Sequence, residues 1–278
     1  MLPAGTISIG SPINLASNLT IVGSSIGTTI LDGKSTTNIL ITRGTGATLL
    51  VRNLTIQHGA TSAATGGGGI YLSADSFTLS QVNMNMNQVT GPTGGSFGGA
   101  ISVHHGNLTV AQSVFTNNTA PNNNGGAISN YADNGINNVV KITGTTFRNN
   151  MNTGVGLGGA VFMLSNSSVT SIIDSCLFQN NTSDGAGAAL NLRFGKTLVT
   201  NSTFIGNSSP SGAGAIAEFG TNIIQDVVNC TFVGNQSRNA ASAGALAGSI
   251  RTANSIFSGN TVQGSPKTCS APSHADII

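Results

Sequence analysis

The sequence contains no tryptophan and only two tyrosines, and charged residues fill 6% of its 278 positions, against about a quarter in ordinary globular chains. Its ten basic and eight acidic residues leave a net charge of +2 and never gather into a run, so the cationic footprint of a nucleic-acid binder is missing. No stretch approaches the ~18 uninterrupted apolar residues of a membrane-spanning helix. No window carries the apolar spacing of a helix of about ten residues or more. His58 and His274 stand alone, and His104-His105 points to opposite faces of a strand, so no metal-ligand spacing exists. The glycine run 66–69 lacks the following Lys-Ser/Thr of a phosphate loop. No cofactor and no metal are expected. The opening Met1 to Gly5 has neither the basic nor the apolar region of a secretory signal. The expectation is a signal absent or already removed and a chain that is an excised segment, since Thr6-Ile7-Ser8-Ile9 already reads as a strand.

What is present is repetition. Phe115-Thr116-Asn117-Asn118 returns as Phe147 to Asn150, Phe178 to Asn181, Phe204 to Asn207, Phe232 to Asn235 and Phe257 to Asn260, at spacings of 32, 31, 26, 28 and 25 residues. A second motif, Gly98-Gly99-Ala100-Ile101, follows as Gly125 to Ile128 and Gly158 to Val161, and fades to Gly187 to Leu190, Ala213 to Ile216 and Ala243 to Leu246. Five positions before each phenylalanine stand Val110, Ile142, Ile173, Val199 and Val227, with Val51 and Leu79 earlier if Ile56 and Met84 take the phenylalanine's place; only Thr252 departs. Two positions before stand Ser113, Thr145, Cys176, Ser202, Cys230 and Ser255. Residues 6–56 carry shorter apolar pairs with strand spacing, punctuated by glycine.

Self-similarity at this period marks a solenoid or array. Units of 25–33 residues with short strands and no helix fit an all-β single-stranded parallel β-helix (β-solenoid) of about nine to ten turns, three short strands per turn, stacked at ~4.8 Å. A propeller blade would need four strands and ~40 residues. In a solenoid the phenylalanines stack inside, and Asn118, Asn150, Asn181, Asn207, Asn235 and Asn260 form a corner ladder of side-chain amides. The Gly-Gly-Ala step suits a corner that needs positive φ, or two backbones too close for a Cβ. The β-helix domain is placed at 1–260, with N-terminal turns over 1–56 and motif-bearing turns over 57–260. A C-terminal tail, extended or strand-like, covers 261–278.

The alternating Gly-Gly-Ala-Ile and Phe-x-x-Asn blocks resemble the paired repeats of the polymorphic outer membrane protein family, surface adhesins of chlamydiae, and the broader set of bacterial right-handed parallel β-helix repeat proteins. Residues 98–101, 125–128 and all six Phe-x-x-Asn blocks carry the likeness, which covers residues 57–260. It implies a right-handed β-helix, exported to the cell surface or outside the cell. No run of ~10-residue alternating segments that would build an outer-membrane barrel follows Asn260.

Cleavage of a glycan needs paired carboxylates, yet Asp174 and Asp226 fall in different columns two turns apart and the other acids in separate turns or corners. The strand after the glycine motif offers a candidate glycan-contact surface of His104, Tyr131, Arg193 and Glu218, with His105 and Asp133 beside them and Arg193 near enough to meet Glu218. The tail, with Cys269 and the apolar Ile277-Ile278, is a candidate inter-subunit element. The expectation is a non-enzymatic extracellular structural protein, a rigid rod acting as a surface adhesin or as the subunit of a filament assembled head to tail. Its expected partners are further copies of itself, or host or surface glycans and proteins. The rival is a carbohydrate-active β-helix enzyme, a polysaccharide lyase or hydrolase, or a glycan-binding module. The register makes one immediate prediction. Cys176 and Cys230 share a column with Ser202 between them, hence ~9.6 Å apart at the strand spacing, beyond the ~7 Å reach of a disulfide. Non-reducing electrophoresis is expected to show no internal bond between them, and finding one breaks the register.

Overall fold

The computed structural model describes every residue except 16, 43–47, 63–65, 92–96, 133–137, 221–224, 270–274 and 278, together with the side chains of all but 74, 75, 166–169 and 275–277. Asp133, His274 and Ile278 therefore lie outside the described residues. The chain is an all-β parallel β-solenoid, without a helix among the described residues. Three ladders share one 22-stranded sheet, and a nine-stranded sheet of very short strands forms a fourth side. We name them the glycine ladder, which follows the Gly-Gly-Ala motif, the middle ladder, the phenylalanine ladder and the short ladder.

The phenylalanine ladder pairs Ile7, Leu31, Ile56, Met84, Phe115, Phe147, Phe178, Phe204, Phe232 and Phe257 in one unbroken register. The short ladder has eight parallel strands, from Ala60–Thr61 to Thr261–Val262. About eight turns thus carry the complete cross-section, where nine to ten were expected. The opening strands Gly5–Ser8, Ile13–Leu15 and Leu19–Val22 extend three walls but add nothing to the fourth.

Nor are all strands short. Ile70–Asn85 runs 16 residues and serves three ladders, pairing Ile70 with Ile101, Phe77 with Leu108 and Met84 with Phe115. The reason is local. The corner between the middle and phenylalanine ladders is made by one left-handed residue, three positions before the ladder position: Asn53, Gln81, Gln112, Gly144, Ser175, Asn201, Asn229 or Asn254, with φ between 48° and 57°. The strand runs through this bend at Asn53, Gln81 and Asn254 and ends just before it on the other five turns. A second left-handed residue occupies the third place of Phe-x-x-Asn, which explains why that place holds Asn117, Asn149, Asn180, Gly206, Gly234 and Gly259, the residue types that visit this region at least cost.

Next comes the ladder asparagine. Asn150 donates from Nδ2 to the Phe115 carbonyl one turn back (2.9 Å) and to Asn181 Oδ1 one turn ahead (3.0 Å), and Asn181 Oδ1 also accepts the Asn150 backbone N–H (3.0 Å). Asn87, Asn118, Asn181, Asn207 and Asn235 repeat the pattern, all fully buried, and Asn260 closes it by donating to the Phe232 carbonyl. In every amide of the column but Asn260's, both donors and the carbonyl are used, at the corner where the backbone leaves its ladder and its own N–H would otherwise be orphaned. Beside this column the six phenylalanine rings stack with centroids 4.7–4.9 Å apart and planes within 15°, inside the range that aromatic pairs favour.

The two glycines of the other motif divide their work. Gly125 has φ +70°, while a Cβ on Gly126 would stand 2.1 Å from the Gly159 carbonyl oxygen of the next turn. One supplies the turn and the other the close approach. Cys176 and Cys230 are free, buried thiols. Each Sγ faces the carbonyl two residues before it, at 3.2 and 3.3 Å, the contact that Ser113, Thr145, Ser202 and Ser255 make with their hydroxyls. Burial pushes the thiols up to about 12 and about 11.

Replacing Asn181 by Ala strips a donor from Phe147 O and Asn207 Oδ1 and an acceptor from Asn150, all without access to water. The expected cost is about 3 kcal/mol in urea denaturation, and less for Asn260→Ala at the ladder's end. A cost below ~1 kcal/mol for Asn181→Ala would show that the ladder does not hold the corner.

Candidate functional site

At the corner between the glycine and middle ladders the turns differ from one another. The register fixes Ile216, Gln225, Leu246 and Ile250 as equivalent pairs on successive turns. This corner therefore spans nine positions in one turn, from Ile216 to Gln225, and four in the next, from Leu246 to Ile250.

Along this corner runs a row of rings and one guanidinium. His104 lies 5.3 Å from Tyr71, 5.6 Å from Phe97 and 6.0 Å from Tyr131 between ring centroids. Tyr131 is in register with Leu164 and Leu164 with Arg193. The Arg193 guanidinium sits 5.7 Å from the centroid of Phe219 on the following turn, a cation–π distance. Phe219 and the neighbouring Phe194 are each 47% exposed. From Tyr71 to Phe219 the row covers six turns, about 24 Å at the strand spacing.

Of the four residues expected to form a contact surface, His104, Tyr131 and Arg193 belong to this row and Glu218 does not. Glu218 is in register with Leu192, one residue off Arg193, and successive residues of a strand face opposite sides. The expected Arg193–Glu218 contact is therefore absent, and Arg193 stacks on Phe219 instead. Glu218 is 4% exposed. Its Oε2 accepts the Ser249 N–H at 2.9 Å, and its Oε1 lies beside the Gly220 backbone without a well-directed donor among the described residues. Burial raises its pKa, and the N–H groups of Ser249 and Gly220 offset part of that rise. The sequence reading also missed Tyr71, Phe97 and Phe219. The tyrosine and the first phenylalanine flank the glycine motif, and the second directly follows Glu218, so only the three-dimensional register reveals their common side.

Above Phe219 the short corner leaves a groove of about 470 Å³ lined by Phe219, Asn239, Ser242, Gly248 and Ser249, with Glu218 beneath. The other described acids have local duties. Asp226 binds Lys196 at 2.8 Å and Arg251 at 2.6 Å. Asp174 accepts from Thr200, Asn201 and Ser175, and Asp184 from the Gly154 N–H. Asp32 accepts from Gln57 and the Lys34 N–H and faces His58 at 3.2 Å. Among the described residues no three His, Cys, Asp or Glu side chains gather.

The tail packs on its own chain. Cys269 bridges to Leu246, Ser265–Pro266 turns back antiparallel to Thr261–Val262, and Ala275–Ile277 pairs with Ile250–Ser258. The backbone of Ile277 is thereby placed opposite Ser255, inside the chain's own sheet.

Fold and corner together define a parallel β-solenoid repeat protein with one decorated edge. The Chlamydia polymorphic membrane protein (Chlamydia_PMP) repeat matches residues 112–131, so the resemblance read from the two motifs is supported over that stretch. No curated protein matches the chain. Among solved structures, the catalytic domain of GH87 alpha-1,3-glucanase in complex with nigerose is similar at 13% identity and a TM-score of 0.41, over 99% of this chain and 63% of that one. The A-module of the Azotobacter vinelandii mannuronan C-5 epimerase AlgE4 is 12% identical over 99% of this chain and 90% of that one, with a TM-score of 0.32. PfbA, a surface adhesin of Streptococcus pneumoniae, is 12% identical over 95% of this chain and 84% of that one, with a TM-score of 0.41. This chain spans 63% of the glucanase domain's length. The expectation of a chain that is not an enzyme is corrected by these likenesses, since a glucanase and an epimerase stand among them; at 12–13% identity they are likenesses of fold.

The Asp32 cluster gives a pH prediction. Burial raises its pKa, but the bonds from Gln57, Lys34 and His58 outweigh that and hold it down at about 2. A carboxylate depressed in the folded state contributes stability above its unfolded pKa that is lost as pH falls through the folded one. The contribution is thus complete above about pH 4 and is lost by about pH 2. Asp32→Asn is expected to be less stable than the parent near neutrality and to flatten the acid limb of a melting-temperature profile. An unchanged profile between pH 5 and 2 would refute this role.

Proposed function

We propose that the chain is an adhesive rod at a bacterial cell surface, and that the ring-bearing corner is its contact face. The observation that carries this reading is the row from Tyr71 through His104, Tyr131 and Arg193 to Phe219, set on a chain otherwise rich in neutral residues. Aromatic and arginine side chains dominate the energetics of contact surfaces, and a rigid solenoid holds them in line without an ordering cost at the moment of binding. The match to a membrane-protein repeat supports the surface placement.

The test is adherence. The chain is displayed on a bacterium that has no adhesin of its own and applied to cultured epithelial cells. Binding is expected above the empty strain, and the variant Tyr131→Ala/Arg193→Ala/Phe219→Ala is expected to lose about tenfold, or ~1.4 kcal/mol, with an unaltered melting curve. A parent that adheres no better than the empty strain, or a triple variant that adheres like the parent, overturns the reading.

A further inference from the structure

We infer that the groove beside Phe219 takes one unit of an uncharged saccharide; this rests on the contact-face reading and names the chemical class that one end of that face accepts. The groove exists because the chain is cut short. Only three residues separate Leu246 from Ile250, so the last full corner stands back and leaves Phe219 of the preceding turn uncovered. Gly248 lets the short corner sit low. It has φ +108°, and a Cβ there would come within 2.4 Å of the Glu218 carbonyl oxygen.

The lining has the chemistry of sugar recognition in three respects. First, the half-exposed Phe219 ring offers a flat apolar face, and Arg193 at 5.7 Å supports it from the neighbouring turn. Second, Ser242 and Ser249 line the space, and within the chain their hydroxyls make no hydrogen bond among the described residues. Asn239 is already fixed, donating to the Ser211 carbonyl at 2.7 Å and accepting the Ala241 N–H at 3.0 Å, so this side of the groove is held in shape. Third, Glu218 is the one ionisable group among the lining residues, and it is sunk beneath Gly220 and Gly248 with Oε2 bound to the Ser249 N–H. No lining residue is a cation, and the nearby Arg193 is placed on the Phe219 ring, so the lining itself offers no positive group to pair with a phosphate or a uronate. A ring, hydroxyl partners and a lining without an exposed charged group fit a ligand with an apolar face, many hydroxyls and no charge. The volume of about 470 Å³ lies in the range of small-molecule sites.

The experiment is saturation-transfer NMR on the whole chain with maltotriose, laminaritriose, cellotriose and chitotriose, and with trigalacturonate as the acidic counterpart. At least one neutral trisaccharide is expected to bind. Phe219→Ala should abolish that signal, Phe219→Tyr should retain it, and Ser242→Ala should weaken affinity about fivefold, the loss of one hydrogen bond of ~1 kcal/mol. Trigalacturonate should give no signal. The proposal fails if no neutral probe binds, if binding survives Phe219→Ala, if Phe219→Tyr binds no better than Phe219→Ala, or if trigalacturonate binds as well. Cell adherence separates the two readings. Adherence with no saccharide signal sinks the subsite and leaves the contact face standing, whereas a saccharide signal without adherence does the reverse.

Discussion

Every side chain in this solenoid must be compatible with the side chain occupying its own place one strand spacing above and below. The spacing is set by backbone hydrogen bonds, at roughly 4.8 Å, and the side chains have no say in it. Asparagine meets the condition because its amide donates and accepts along the axis at that distance, with one donor left for the backbone of the previous turn. Phenylalanine meets it because rings at 4.7–4.9 Å are in contact. The corners then follow from the two columns. A left-handed residue turns the chain into the phenylalanine ladder and another turns it out, so the asparagine arrives where the backbone has lost its neighbour.

Much of this was legible in the sequence for the same reason that it is stable. A residue type that stacks on itself recurs, and recurrence is visible. The Val110 to Val227 column, the phenylalanines, the asparagines and the Ser/Thr/Cys sites are all in the register that their spacing implies. What was not legible are the features that do not recur. Strand lengths differ from the expectation because a corner made by one left-handed Gln81 or Asn254 lets the strand continue, and neither residue announces itself as a bend. Glu218 was assigned to the wrong side by a shift of one residue, which in a strand exchanges faces. Phe219 escaped notice because no other turn repeats it.

Variation is confined accordingly. The corner before the phenylalanine ladder is one residue long on every motif-bearing turn, and the asparagine corner keeps its length as well. The corner after the glycine ladder changes from nine positions to four between neighbouring turns, the corner before it from eight (Ser208 to Ile216) to ten (Gln236 to Leu246), and the groove is lined from both. A scaffold whose walls are bound to repeat can present individual side chains only where its loops are free to differ. This places the candidate contact face on physical grounds independent of any relative.

The same constraint accounts for the scarcity of charge. A charged residue repeated in a ladder would face its own copy at about 5 Å, a repulsion of roughly 1 kcal/mol per step in water and several at the effective dielectric of a protein surface. Over eight turns that cost is prohibitive, so neutral Asn, Ser and Thr take the wall positions. Where two charges meet in register on a wall, they are of opposite sign. Arg251 pairs with Asp226 in register on the turn before, and Asp226 is held from the other side by Lys196. The chain is thus poor in charge because it repeats, and a surface so poor in charge is left to make contact through rings, amides and hydroxyls.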